Sequence, residues 1–183
     1  MTAGRSLGAR LALACLVAAA ACLPAAAQDL SDDWEVIGTV EAMIDDAPMT
    51  FFAARRIDTG EATVIETPGT DGRIITIGAM TPDQAGEPGL PILTLKLHAD
   101  RAGFPAMLEI DLREAERVLM ANDHSETDAL LEDLRIDADG GLSFAFQAEL
   151  MVMAPNADGS FAPLPGAVGD LISGRFDGRL PAQ

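Results

Sequence analysis

The longest regular pattern in this sequence is an alternation of apolar with polar or small residues over positions 142–153. Successive side chains of a β-strand point to opposite faces of a sheet, so a period of two predicts a strand with one buried face. The inward stripe of this run includes two aromatic rings, Phe144 and Phe146. A chain that repeats this pattern must bury the apolar faces of its sheets against each other.

Shorter runs repeat the alternation, and segments rich in Gly, Pro, Asp and Asn separate them. The segment Asp137 to Gly141 is the strongest hairpin signal, because Asp and Gly tolerate the positive φ of tight turns. This spacing favours an antiparallel β-sandwich or barrel of about eight or nine strands. The shorter runs cover residues 34–44, 49–56, 62–67, 73–79, 91–98, 106–112 and 171–180.

The segment 111–133 departs from the alternation. Asp111 is followed three residues later by Glu114, which is the spacing of a helix capping box, and Ser125 begins a weaker version of the same pattern. We therefore expect one or two short helices around residues 111–133. Strands do not alternate with long helices elsewhere, so a doubly wound α/β fold is not expected.

The first 27 residues have the three parts of a cleavable signal peptide. Arg5 and Arg10 form a positive start, and residues 11–23 form an apolar run that is shorter than the ~20 residues of a membrane-spanning helix. Small residues then precede a cleavage site predicted after Ala27. The expected mature protein is a single mainly-β domain, residues 28–183, located in a bacterial periplasm or secreted.

Both cysteines lie inside the apolar run of the predicted signal peptide. Attachment of a lipid at Cys22 is the competing interpretation. It is disfavoured because Ala19 stands where bacterial lipoproteins usually carry Leu. The mature domain would then contain no cysteine, and a domain of this length can form a core without disulfides.

Charge restricts the class of partner. The full chain has a formal charge of −17, and removal of Arg5 and Arg10 lowers it by two, to −19. Such a field repels nucleic-acid phosphates and anionic lipid headgroups. We expect no nucleic-acid partner and no membrane insertion after signal cleavage, which leaves an unknown protein or small molecule as partner.

Motifs for catalysis and for cofactors are missing from the mature sequence. It has no cysteine and no G-x-S-x-G motif, and its two histidines are His98 and His124. The function expected is a non-enzymatic binding or interaction domain without a cofactor. A hydrolase acting through paired carboxylates is a third alternative, which the abundance of acidic residues supports only weakly.

Calcium binding is the runner-up function. Two short motifs, D-x-D-G-G and N-x-D-G-S, resemble the start of a calcium loop, but neither has Gly at the sixth position or Glu at the twelfth. We therefore expect Asx-rich turns at both places. The candidate ligands of a looser cation site are Asp137, Asp139, Asn156 and Asp158.

Met151 and Met153 form the remaining unusual feature. Two thioethers on one strand suit Cu(I), but no histidine accompanies them at H-x-M or M-x-H spacing. We expect both methionines to belong to the core.

Overall fold

The computed structural model describes residues 29–70, 72–100, 105–125 and 127–180. The predicted signal peptide and both cysteines lie outside the described residues. Every regular element in the described ranges is a β-strand: β1 (Trp34–Ile44), β2 (Ala47–Arg56), β3 (Val64–Pro68), β4 (Gly72–Pro82), β5 (Pro88–Asp100), β6 (Pro105–Arg113), β7 (Val118–Ala121), β8 (Leu130–Ile136), β9 (Gly141–Pro155), β10 (Phe161–Pro163) and β11 (Asp170–Arg179).

Eight of these strands close an antiparallel barrel. Their order is β9-β11-β1-β2-β4-β5-β6-β7, and β7 pairs back onto β9. The three remaining strands are additions to this wall: β3 pairs with β4, while β8 and β10 pair with β9. The prediction of a mainly β, antiparallel fold is confirmed, and a barrel is the form that it takes.

Side chains fill the interior of the barrel. Phe144 and Phe146, both predicted to lie in the core, are buried, and the ring of Phe144 lies 5.5 Å from that of Phe176. Burial of each apolar side chain of this size stabilises the folded state by about 1.5–3 kcal/mol relative to leaving it exposed. The largest fully buried side chains are Phe51, Phe144, Phe176, Ile75, Ile77, Leu93, Leu95, Leu97, Ile110, Leu112, Leu119 and Leu142.

The helices predicted around residues 111–133 are wrong for the part of that segment that the structure describes. These residues form the end of β6, then β7, a turn and the start of β8. Both β7 and β8 pair with the same long strand, β9. Burial of apolar side chains such as Leu119 against that strand outweighs the local helical pattern.

The predicted cap residue Ser125 closes a turn instead of a helix. Its hydroxyl donates to the carbonyl of Asn122 and accepts from the Asn122 backbone N–H at 2.8 Å. The Asn122 side chain accepts from the backbone N–H of His124 at 2.9 Å. Ser and Asn side chains stabilise Asx turns and helix caps by the same hydrogen bonds, so a capping pattern alone does not distinguish them.

The inward face of β1 shifts by one residue near its start. The pairing of β1 with β2 changes register between Val36 and Gly38. As a result Val36, which has the same parity as the buried Val40, is exposed, whereas Ile37 packs against the core. A bulge of this kind reverses the alternation on one side of it.

The alternation also changes at the end of β9. Met153, which the simple alternation places outward, is buried, while Met151 and Val152 are half-buried. At this point β9 pairs with β7 and β10 instead of β8 and β11. The burial of Met153 agrees with the core interpretation.

Candidate functional site: a charged cleft at the mouth of the barrel

Several inward-facing rows of apolar residues end in a charged side chain. On β2, Arg55 follows the buried Phe51 and Ala53 at the same parity. On β4, Arg73 precedes the buried Ile75 in the same way. Glu66 on β3 similarly follows the buried Val64. Because neighbouring strands are antiparallel, the end of β2 and the start of β4 meet at one end of the barrel.

The bulge in β1 adds a fourth charge at this end. It brings Ile37 against the core and places Glu35 beside Arg55, its partner across the β1–β2 ladder. A cleft of about 590 Å³ opens there, and we call it the mouth cleft. Its charged lining is Glu35, Arg55, Glu66, Arg73, Asp137, Asp139 and Arg179, and its apolar lining includes Ile37, Ala62, Ile136 and Leu180.

Two of the three arginines in the mouth cleft are paired. Arg55 Nε lies 3.1 Å from Glu35 Oε2, and Arg73 Nη1 lies 3.2 Å from Glu66 Oε2. Among the described residues, no carboxylate oxygen lies within ion-pair distance of Arg179. The cleft therefore offers one arginine and two aspartates outside its internal ion pairs.

The four candidate cation ligands fall in two separate turns. Asp137 and Asp139 belong to the β8–β9 turn and line the mouth cleft. Asn156 and Asp158 belong to the β9–β10 turn, at the opposite end of β9. The 15 residues of β9 span about 45 Å at ~3.3 Å per residue, so the two pairs do not share a site.

Hydrogen bonds within each turn occupy some of these oxygens. Asp158 Oδ1 accepts from the hydroxyl and the backbone N–H of Ser160, at 2.6 and 2.9 Å, and these bonds hold the pKa of the Asp158 carboxyl below its usual value. Asp139 Oδ1 accepts from the Gly141 backbone at 3.3 Å. Within the described ranges, no three His, Asp or Glu side chains converge as metal ligands.

A second polar cluster lies on the outer face of β5 and β6. His98 Nε2 is 2.8 Å from Glu109 Oε1, and Lys96 Nζ is 3.4 Å from the other oxygen of Glu109. Burial raises the pKa of Asp111, although Lys96, 3.9 Å away, acts in the opposite direction. A carboxyl with a raised pKa is what the hydrolase alternative requires, but this one lies outside the mouth cleft.

His124 occupies the turn after β7, and neither it nor His98 lines the mouth cleft. Sequence reasoning had not identified the cleft. A signal for it was present, since Arg55 and Arg73 each terminate an inward apolar row. No such signal exists for Glu35, because the bulge that places it is not visible in the alternation.

The fold and this cleft define a class of protein: a closed antiparallel β-barrel with a filled interior and a charged cleft at one end. Compared with known proteins, the chain matches no family model, no curated protein and no solved structure. In the part of the chain that the structure describes, no helix has the length and apolarity needed to cross a membrane.

Proposed function

We propose that the chain is an exported, non-enzymatic binding domain that holds a small zwitterionic molecule in the mouth cleft. One observation carries this proposal: side chains fill the barrel interior, while the mouth cleft combines both signs of charge with an apolar lining. Ligand sites in barrels commonly occupy the mouth and combine apolar walls with a few polar groups.

The chemistry of the lining suggests the ligand class. Arg179 can hold a carboxylate by two parallel hydrogen bonds, while Asp137 and Asp139 attract an ammonium group. The apolar residues between them suit a short hydrocarbon part. A simple anion would be repelled by a chain of formal charge −17, so a molecule with both charges is favoured, such as a free amino acid or a short peptide.

Export is part of the same proposal and rests on the predicted signal peptide. Protein recovered from an exporting bacterial host should have the mass of a chain that begins at Gln28. A diacylglyceryl increment on a chain that begins at Cys22 would instead favour the lipid-anchored alternative.

Binding can be tested by calorimetric titration of the mature domain with a panel of amino acids and dipeptides. Loss of one charge-assisted hydrogen-bonded contact corresponds to roughly a tenfold loss of affinity, so Arg179→Gln should weaken binding by about that factor. Amidation of the ligand's carboxylate should have a similar effect.

A matched control lies on the same strand. Arg175 is also on β11 but does not line the mouth cleft, so Arg175→Gln should bind as the unchanged domain does. Equal binding by the unchanged domain and Arg179→Gln would contradict the proposed site. A panel in which no zwitterion binds would contradict the ligand class.

A further inference from the structure

One row of residues that pair across neighbouring strands on the outer surface of the barrel is partly apolar. Leu130 on β8 pairs with Gln147 on β9, which pairs with Ser173 on β11, which pairs with Met43 on β1. Directly opposed residues share a face, and the flanking residue Ile172 is buried. The row therefore faces away from the core.

A hollow of about 530 Å³ lies along this row, because the small Ser173 stands between larger neighbours. Its apolar walls are three exposed side chains: Met43, Leu130 and Leu171, which are 41%, 47% and 66% exposed. Its rim carries three carboxylates, and among the residues that the structure describes its lining contains no Lys or Arg. We call it the acidic-rimmed hollow, formed by Met43, Leu130, Leu171, Asp46, Asp128 and Glu149.

Hydrogen bonds hold one wall of this hollow in place. Asp45 Oδ1 accepts from the backbone N–H of Leu171 at 2.9 Å, and the Asp45 N–H donates to the Leu171 carbonyl at 3.0 Å. The β1–β2 turn is thereby tied to the start of β11. A wall that is already ordered loses less conformational entropy when a partner binds.

We infer that the acidic-rimmed hollow docks a basic segment of another protein, which inserts an apolar side chain between Met43, Leu130 and Leu171. Charge complementarity selects this occupant, since three carboxylates surround an apolar centre and no described basic residue lines it. A second copy of this chain would bring a rim of the same sign and the same net charge of −17. The site is separate from the mouth cleft, and the two share no lining residue.

The test peptide is fluorescently labelled, capped at both ends, and has two central leucines flanked on each side by two lysines. Its binding to the mature domain is measured by fluorescence anisotropy. We expect this peptide to bind more tightly than the same peptide with alanines for leucines or with glutamates for lysines. Leu171→Gln should weaken binding by about tenfold, because one apolar anchor is removed. Glu149→Gln should weaken it by about threefold and reduce its dependence on salt.

Ile65→Gln is the matched control, since Ile65 is also an exposed strand residue, on β3, outside the hollow. It should leave peptide binding unchanged. Equal binding of the leucine and alanine peptides would overturn the inference, as would equal binding to the unchanged domain and to both hollow variants. A dimer of the domain alone, detected by sedimentation and lost in Leu171→Gln, would also overturn it by showing a second copy as occupant.

Discussion

Three glycines on β1 and β11 make room for aromatic rings in the core. A Cβ atom at Gly178 would lie 2.6 Å from Phe176 Cζ and 2.7 Å from the Gly38 Cα, closer than such atoms approach. A Cβ at Gly174 would lie 2.8 Å from Phe146 Cζ. Glycine in a strand interior normally weakens the strand, and here each ring covers the glycine backbone.

Asp111 gives a prediction about pH. Burial raises the pKa of its carboxyl above the value in the unfolded chain, about 3.9. Folding therefore favours the protonated carboxyl, and this contribution to stability is lost as the pH rises through the folded-state pKa. At pH 7 the buried Asp111 carboxyl therefore opposes folding, so Asp111→Asn should raise the free energy of unfolding there.

The measurement for Asp111→Asn is urea unfolding across a pH series. The advantage of the variant should shrink as the pH falls through the folded-state pKa of Asp111, and it should be lost below about pH 4, where Asp111 is protonated in both the folded and the unfolded chain. Asp177→Asn, at an exposed position of β11, controls for the general effect of removing a negative charge. A pH-independent gain equal to that of Asp177→Asn would show that burial of Asp111 is not the cause.

At the scale of elements, one arginine joins strands that are not neighbours in the sheet. Arg117, in the turn between β6 and β7, makes two hydrogen bonds to Asp170 at the start of β11, of 2.9 and 3.3 Å. Its Nε also donates to Glu114 at 2.7 Å. Hydrogen bonds to these carboxylates, the one to Glu114 having the larger effect, raise the pKa of the Arg117 guanidinium. The Asp170 carboxylate is almost fully buried.

Loss of the Arg117–Asp170 ion pair should destabilise the barrel. Arg117→Met leaves a buried carboxylate without its charged partner, so the free energy of unfolding should fall by about 2 kcal/mol. Adding Asp170→Asn to Arg117→Met should recover part of the loss, because the unpaired charge is removed. Urea unfolding of the unchanged protein, the two single variants and the double variant gives the coupling energy between Arg117 and Asp170. Strictly additive effects would show that the two residues do not stabilise the barrel as a pair.

At the scale of the whole molecule, charge dominates. The full chain has a formal charge of −17, and crowded carboxylates repel each other. Among the described residues, most ion pairs are partly exposed, and exposed pairs contribute only about 0–1 kcal/mol each. The fold therefore depends on its filled interior and tolerates its charge.

Repulsion between the carboxylates predicts that the stability of the fold rises gradually with salt concentration. Sodium chloride should raise the melting temperature over tens to hundreds of millimolar, as the Debye length falls from about 30 Å at 0.01 M to about 10 Å at 0.1 M. Calcium at constant ionic strength should add no sharp step. A saturating site would stabilise the fold by roughly 2.7 kcal/mol at a hundredfold excess of ligand over its dissociation constant.

A sharp rise in melting temperature at sub-millimolar calcium would instead support the cation-binding alternative. The two turns can then be separated, because they lie at opposite ends of β9. Asp137→Asn tests the turn at the mouth cleft and Asp158→Asn tests the β9–β10 turn. Loss of the calcium response in one variant and not the other would identify the site.

The sequence by itself determined the class of fold and most of the core. Alternation predicted most of the strands, although not β7 or β10, and the buried positions Phe144 and Phe146, because the face on which a strand residue lies depends on local parity. Turn-forming Asp and Gly residues predicted the hairpin at Asp137 to Gly141. Parity does not say which strand is the neighbour. The closure of the barrel and the Arg117–Asp170 pair join residues far apart in the chain, so only the tertiary structure decided them.

Pairing between distant strands also explains where the predictions from the sequence are wrong. Residues 111–133 have a helical capping pattern, but the described strands β7 and β8 in this segment pair with β9, which lies later in the chain. The bulge beside Ile37 depends on the register with β2, and it places Glu35 at the mouth cleft. Local pattern determined most of the buried side chains, although not those beside the bulge in β1 or at the end of β9, and strand pairing decided where the charged ends of the strands meet.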